Sequence, residues 1–315
     1  MAISERNQGS RMGIGKKPQE NGEFHRAVDS VLLTDPVVKE WSGAPIILSP
    51  YPGGRVVNEV QTYTYKPGVR MYIEGEEVID SCQYPYWVKA VRAGIEKVQL
   101  KTGENLKVTE AGLGLFMCAN RIIIEGLAEF HKTGRKIHYR GIELSEDVYE
   151  RALAWKKNWL EAFSLQSNEG LDPEPNIEIS LYQGEATEVA EDLSAKGKLA
   201  NLIFADTYPI KKDTKGINDL LLLPGLAKHA VSDNAVFVFF SFTKETVGHS
   251  TGEVAEMQRM LLDEAFEAYN ISTEMVPVSP PPDYKFLKKD DGTMVTSLPL
   301  TVVSQIKVRD EYKRK

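Results

Sequence analysis

A chain of 315 residues with 42% hydrophobic and 26% charged content is long enough for a full core, with an extension beside the main domain. Its net charge of −7, with positive runs only at 11–17 and 313–315, disfavours a nucleic-acid partner. No apolar run reaches bilayer length and the first residues lack the apolar centre of a signal peptide, so a cytoplasmic protein without membrane association is expected.

Residues 1–23 are polar, rich in Gly and Lys and aperiodic, which reads as a flexible arm. Residues 24–84 carry short apolar stretches broken by PYPGG and YKPG, and the alternating VQTYTY and VRMYIEG segments read as a small hairpin in an accessory or lid region. Residues 85–315 form the main domain. A helix is expected over 86–100, where Val88, Val91, Ile95 and Val98 recur at helical spacing. Strand and helix patterns then alternate: KVTEA, a helix through CANRIIIEGLAEF, KIHYRGIE and a helix over 146–163. On that last helix Val148, Ala152, Trp155 and Trp159 share a face, and Ser145 can cap its start. The strand IEISLYQG, a short helix with Val189, Ala190 and Leu193, the strand NLIFAD, a Leu-rich helix from 217 and the strand AVFVFFSF follow. After a helix over 253–268, ISTEMVPV and LPLTVVSQIKV are separated by no helix and can pair as an antiparallel edge. The pattern implies an α/β fold with a doubly wound, mostly parallel seven-stranded sheet.

In such a sheet, ligands bind beyond the carboxyl ends of the strands. Glu110-Ala111-Gly112-Leu113-Gly114 follows the first of these strands, and its two glycines permit a tight turn and a close ligand approach. Met117 stands where the dinucleotide pattern needs a third glycine. Glu143 ends the second strand, where an acid can accept from both hydroxyls of a ribose. Gly184-Glu185-Ala186 follows the third and can offer main chain and a polar side chain to an adenine edge. Asp206-Thr207-Tyr208-Pro209 ends NLIFA and brings a carboxylate that can orient an amine, with an aromatic beside it. Cys82, Cys118 and five scattered histidines show no ligand spacing, so neither a metal site nor a disulfide framework is expected. Among the histidines, His249 follows a central strand and is the one placed to face a pocket.

Taken in order, these segments resemble class I S-adenosylmethionine-dependent methyltransferases, and in detail the guanidinoacetate N-methyltransferase family. Gln83-Tyr84-Pro85-Tyr86 resembles that family's Glu-Thr-Pro-Tyr helix entrance, VTEAGLGL its VLEVGFGM loop, and FADTYPI its YDTYPL segment. GIELSEDVYERA resembles the acidic strand end and its helix, and GEATEVA the adenine loop. Ser241-Phe242-Thr243 resembles an Asn-Leu-Thr loop, and EMVPVSPPPDY a segment written EVMALVPPAD. The match spans roughly residues 78–308.

The resemblance implies a Rossmann-like methyltransferase that uses S-adenosylmethionine to methylate a nitrogen of a small molecule. It assigns Glu110, Gly112, Gly114, Glu143, Gly184, Glu185 and Ala186 to the cofactor, Asp206 to the nucleophile, and Gln83, Tyr86, Tyr208, Phe242 and Thr243 to the substrate side. In the family two acids grip a guanidinium. Here Gln83 replaces one of them, so the charged clamp is lost unless Glu76, Glu77 or Asp80 restores it. The same residues are compatible with transfer or cyclisation of the cofactor's aminocarboxypropyl portion, and with a non-catalytic cofactor-binding protein. The N-terminal extension could serve a homodimer as readily as a lid.

Overall fold

The computed structural model describes residues 38–41, 44–51, 68–73, 76–80, 83–130, 133–168, 177–207, 225–227, 229, 234–240, 250–280, 287–289 and 291–311. The arm at 1–23, the VQTYTY half of the expected hairpin and the Leu-rich helix from 217 lie outside them.

Strands β1 (Val38–Trp41), β2 (Ala44–Tyr51), β3 (Gly68–Ile73) and β4 (Glu76–Asp80) form an antiparallel sheet in the order β1-β2-β3-β4. The VRMYIEG segment does enter a hairpin, pairing Ile73 with Glu76, and that hairpin is the last step of a four-stranded meander.

The main sheet has seven strands: β5 (Leu106–Ala111), β6 (Ile137–Glu143), β7 (Ile177–Gln183), β8 (Leu202–Ala205), β9 (Val236–Phe240), β10 (Phe266–Pro277) and β11 (Ser297–Val308). Their order is β10-β11-β9-β8-β5-β6-β7. The five from β5 to β9 are mutually parallel, while β11 runs antiparallel between β9 and β10. This is the doubly wound sheet expected from the alternation of elements, with the two last strands as its antiparallel edge.

Helices α1 (Tyr84–Lys97), α2 (Met117–Phe130) and α3 (Glu146–Asn168) pack with Val108, Tyr139, Leu202, Phe204, Val236 and Val238 on one face of the sheet. Helices α4 (Ala186–Ala195) and α5 (Thr251–Ala265) cover Ile203, Ala205, Phe237 and Phe239 on the other. Successive strand residues thus serve opposite layers, the period-two rule that makes each strand read as an unbroken apolar run when both faces are covered. Full burial of side chains the size of Trp87, Trp159 and Phe204 contributes about 1.5–3 kcal/mol each. The four apolar residues expected on the core side of α3 are all buried, and Ser145 Oγ accepts from Val148 N at 3.4 Å.

Boundaries move at the last helix. The helical pattern suggests 253–268, whereas α5 stops at Ala265 and β10 starts at once, because the Phe266 main chain is extended. A capping box between Ser250 and Glu253 sets the start of α5. No helix among the described residues is long and apolar enough to cross a membrane.

Candidate functional site

The order of the sheet reverses between β5 and β8, whose carboxyl ends carry Glu110, Gly112, Gly114 and Asp206 of the residues singled out in the sequence. The turn after β5 uses left-handed main chain at Gly112 (φ 84°), Gly114 (φ 47°) and Phe116 (φ 59°). Phe116 lacks the freedom of glycine there, and its ring stacks on Trp155 with centroids 5.6 Å apart. Gly112 is required by its surroundings as well as by its φ. A Cβ at that position would stand 1.9 Å from the Asp206 carbonyl oxygen, so this turn and the end of β8 interlock through main chain. Asp206 N donates to Ala111 O at 2.9 Å in the same junction.

Glu143 ends β6 and is largely enclosed. Its Oε2 accepts from Leu113 N and its Oε1 from Ser145 N, both at 2.9 Å. Burial raises its pKa while these main-chain donors pull it down. The carboxylate therefore ties the glycine turn to the start of α3.

Glu110 lies deeper, 1% exposed, with Oε2 accepting from the Tyr139 hydroxyl at 2.7 Å. Burial pushes its pKa from 4.5 up to about 8, hydrogen bonds from Tyr139 and Cys118 oppose the rise, and the charges of Asp206 and Glu143 add to it. The Cys118 thiol and the Tyr139 phenol are raised in turn, first by burial and then by Glu110. The register accounts for the grouping. Glu110 pairs with Gly141 on one side and Phe204 on the other, so Glu143 and Asp206, two residues further along their chains, project to the same face. Gly141 makes the room: a Cβ there would stand 2.8 Å from Leu113 and 3.2 Å from the Tyr139 hydroxyl.

On the far side of β6, Gly184 N donates to Glu143 O at 2.9 Å. Glu185 is the N-cap of α4, with Oε2 accepting from Thr187 N at 2.8 Å and Glu188 N at 2.9 Å. Its carboxylate is thus committed to the helix start, and Ala186 is buried beside Ala111 and Ile142. On the α1 side, Gln83 stands at the N-cap position, 2% exposed, and makes no side-chain cap. Tyr86 is fully buried, its hydroxyl 3.3 Å from Pro299 O and 3.5 Å from Phe239 O. Tyr208, Phe242, Thr243 and His249 lie outside the described residues, and Glu76, Glu77 and Asp80 are described only as main chain of β4.

Three residues of this region were not singled out in the sequence. Tyr139 and Gly141 could have been found, since they precede Glu143 at steps of two along one strand. Asn120 could not: its Oδ1 accepts from Nε1 of both Trp155 (2.8 Å) and Trp159 (3.0 Å), a pairing of two helices that no local pattern announces.

Neither a described protein family nor a curated protein matches the chain in sequence. Among solved structures it is similar to a spermidine synthase in complex with the transition-state analogue AdoDATO, with 12% identity over 85% of this chain and 73% of that one and a TM-score of 0.48. It is also similar to a SAM-dependent methyltransferase from Agrobacterium tumefaciens, with 13% identity over 86% and 77% of the two chains and a TM-score of 0.40. A candidate SAM-dependent methyltransferase from Streptococcus mutans is similar at 8% identity over 86% of this chain, with a TM-score of 0.41, and this chain spans 56% of its length. Numbered along the chain, the seven strands stand in the order 3-2-1-4-5-7-6, the Rossmann-like arrangement of the class I methyltransferase fold.

Proposed function

We propose that the crevice beyond β5, β6 and β8 binds S-adenosylmethionine, and that the chain transfers its methyl group to a nitrogen of a small amine or guanidino compound such as an amino acid derivative. The observation that carries this reading is the convergence of Glu110, Glu143 and Asp206 on one face at three adjacent strand ends, beside the left-handed turn at Gly112 and Gly114.

The residues present fit that cofactor. Glu143 is a carboxylate fixed by main-chain donors at the end of β6, where an acid can meet the hydroxyls of a ribose. The main chain at residues 184–186 borders the same crevice, since Gly184 bonds to Glu143. The acidic groups of Glu143 and Asp206 at the ends of β6 and β8 suit a positive sulfonium. When bound, S-adenosylmethionine supplies a methyl group on positively charged sulfur, open to attack by a nitrogen lone pair.

Asp206 orients the incoming nitrogen and stabilises the positive charge that develops on it. Its main chain is locked to the glycine turn, so nucleophile and cofactor subsites share one rigid junction. Gln83 places an uncharged amide at the α1 entrance, which favours a neutral amine over a guanidinium. The segments resembling guanidinoacetate N-methyltransferases support nitrogen as the acceptor, and by the same resemblance Tyr86, Tyr208, Phe242 and Thr243 belong to the substrate side.

The test is incubation of the full chain with S-adenosylmethionine and a panel of amines and guanidines, followed by product mass. Gain of one methyl on an amine is expected. Gain of an aminocarboxypropyl group, or cofactor binding with no transfer to any acceptor, would count against the proposal.

A further inference from the structure

Phe116 closes the turn after β5 with a left-handed main chain (φ 59°), a conformation that a residue with a Cβ keeps only when its surroundings hold it there. The hold is a closed ring of three residues. The Phe116 side chain stacks on Trp155 of α3, with centroids 5.6 Å apart and planes 15° from parallel. Trp155 Nε1 donates to Asn120 Oδ1 at 2.8 Å, and Asn120 N donates in turn to Phe116 O at 2.9 Å. Two further groups brace the ring: Tyr139 meets the Trp155 indole at 5.8 Å and 61°, and Trp159 Nε1 donates to the same Oδ1 at 3.0 Å. From Phe116 the connection to the crevice runs through main chain. Phe116 N donates to Leu113 O at 2.8 Å, and Leu113 N donates to Glu143 Oε2 at 2.9 Å. Gly112, beside Leu113, abuts the Asp206 carbonyl. A shift at residue 116 therefore passes to the turn and to the acid at the end of β6.

We propose that Trp155 and Asn120 are positioning residues for the cofactor, acting through Phe116 rather than by contact with the ligand: they hold its main chain in the left-handed conformation that presents the glycine turn and Glu143 together. The inference rests on the cofactor reading above and adds to it the residues that set the geometry of that subsite. Glycine reaches positive φ about as readily as negative, so a glycine at position 116 keeps the turn without help. An alanine there lacks the stacked ring and still carries the Cβ that makes the conformation costly.

The test is titration calorimetry of the full chain with S-adenosylhomocysteine, beside thermal melts that establish which variants fold. Phe116→Ala should bind this probe more weakly than Phe116→Gly, by up to about tenfold, although glycine removes more of the side chain. Trp155→Leu should weaken binding by about tenfold in the otherwise unchanged chain and by less than about twofold in the Phe116→Gly background. Asn120→Ala should act in the same way, since it frees the indole that braces Phe116. Should Trp155→Leu or Asn120→Ala fail to fold, the comparison of Phe116→Ala with Phe116→Gly decides. A role in packing alone predicts no advantage for glycine and no dependence on the background. Equal or tighter binding by Phe116→Ala, or a Trp155→Leu loss of the same size in both backgrounds, would overturn the inference and leave the cofactor reading standing. No binding of the probe by wild type would overturn both.

Discussion

The Tyr139 hydroxyl donates to Oε2 of Glu110 at 2.7 Å, inside the layer that α2 covers. The contact has room because Gly141, the register partner of Glu110, has no side chain; a Cβ there would stand 3.2 Å from the Tyr139 hydroxyl. It holds a carboxyl that titrates near 8 and is mostly protonated at neutral pH.

Glu110 therefore makes stability depend on pH. Its folded pKa of about 8 exceeds the ordinary 4.5, so its contribution is complete below 4.5 and is lost as pH rises through 8, at up to about 1.4 kcal/mol per unit. His229 acts in the opposite sense. Burial lowers its pKa from 6.5 to about 4, so its contribution is present above 6.5 and lost as pH falls through 4. The two offset each other between 4.5 and 6.5, and the Glu110 slope stands alone above that window. Urea midpoints between pH 6.5 and 8 should fall in wild type and stay flatter in Glu110→Gln; parallel curves would contradict the assignment.

Asn120 is the acceptor for two buried indoles. Asn120→Ala removes the acceptor that both N–H groups share and should cost about 2–4 kcal/mol, with near-UV circular dichroism of the tryptophans altered. A loss below about 1 kcal/mol would mean that another group takes over the acceptor role.

Cofactor affinity should respond to Glu143 and Gly112 for different reasons. Glu143→Ala removes the proposed ribose acceptor together with the tie between Leu113 and Ser145, so affinity should fall with a modest loss of stability. Gly112→Val forces a side chain into the Asp206 carbonyl and should lower both affinity and stability, the latter by about 3 kcal/mol or more. Calorimetry and thermal melting on both variants separate the effects, and unchanged affinity in folded protein would remove Glu143 from the cofactor site.

Gln83 and Asp206 decide the substrate class. If the acceptor is a neutral amine, Gln83→Glu should impair turnover, because a second carboxylate favours the protonated, unreactive amine. If the acceptor is a guanidine, the same change should tighten its binding through a second charge-assisted bond. Asp206→Asn should remove most turnover and leave cofactor affinity nearly intact in either case. Full activity of this variant on the identified substrate would move the centre of the site elsewhere.

The alternation of elements, the faces of α1 and α3 and the acids at the strand ends were legible in the sequence, because each follows from a period of two or about 3.6 residues, or from a turn that needs glycine. Strand order was not, since β11 enters between β9 and β10 through pairings that span tens of residues. The end of α5 was misjudged because apolar spacing continues past Ala265 while the main chain turns extended.

Which residues would stand beside one another at the site depended on register across strands. Gly112 looked like a place for a ligand to approach, and its nearest obstacle is the Asp206 main chain. Glu185 looked like a base contact, and its carboxylate caps α4. Sequence alone determined the chemical groups at each strand end and the kind of sheet that carries them. Only the tertiary structure decided that Glu110, Glu143 and Asp206 share one covered face, since hydrogen-bonded register sets which side chains meet and burial sets which of them keep a proton.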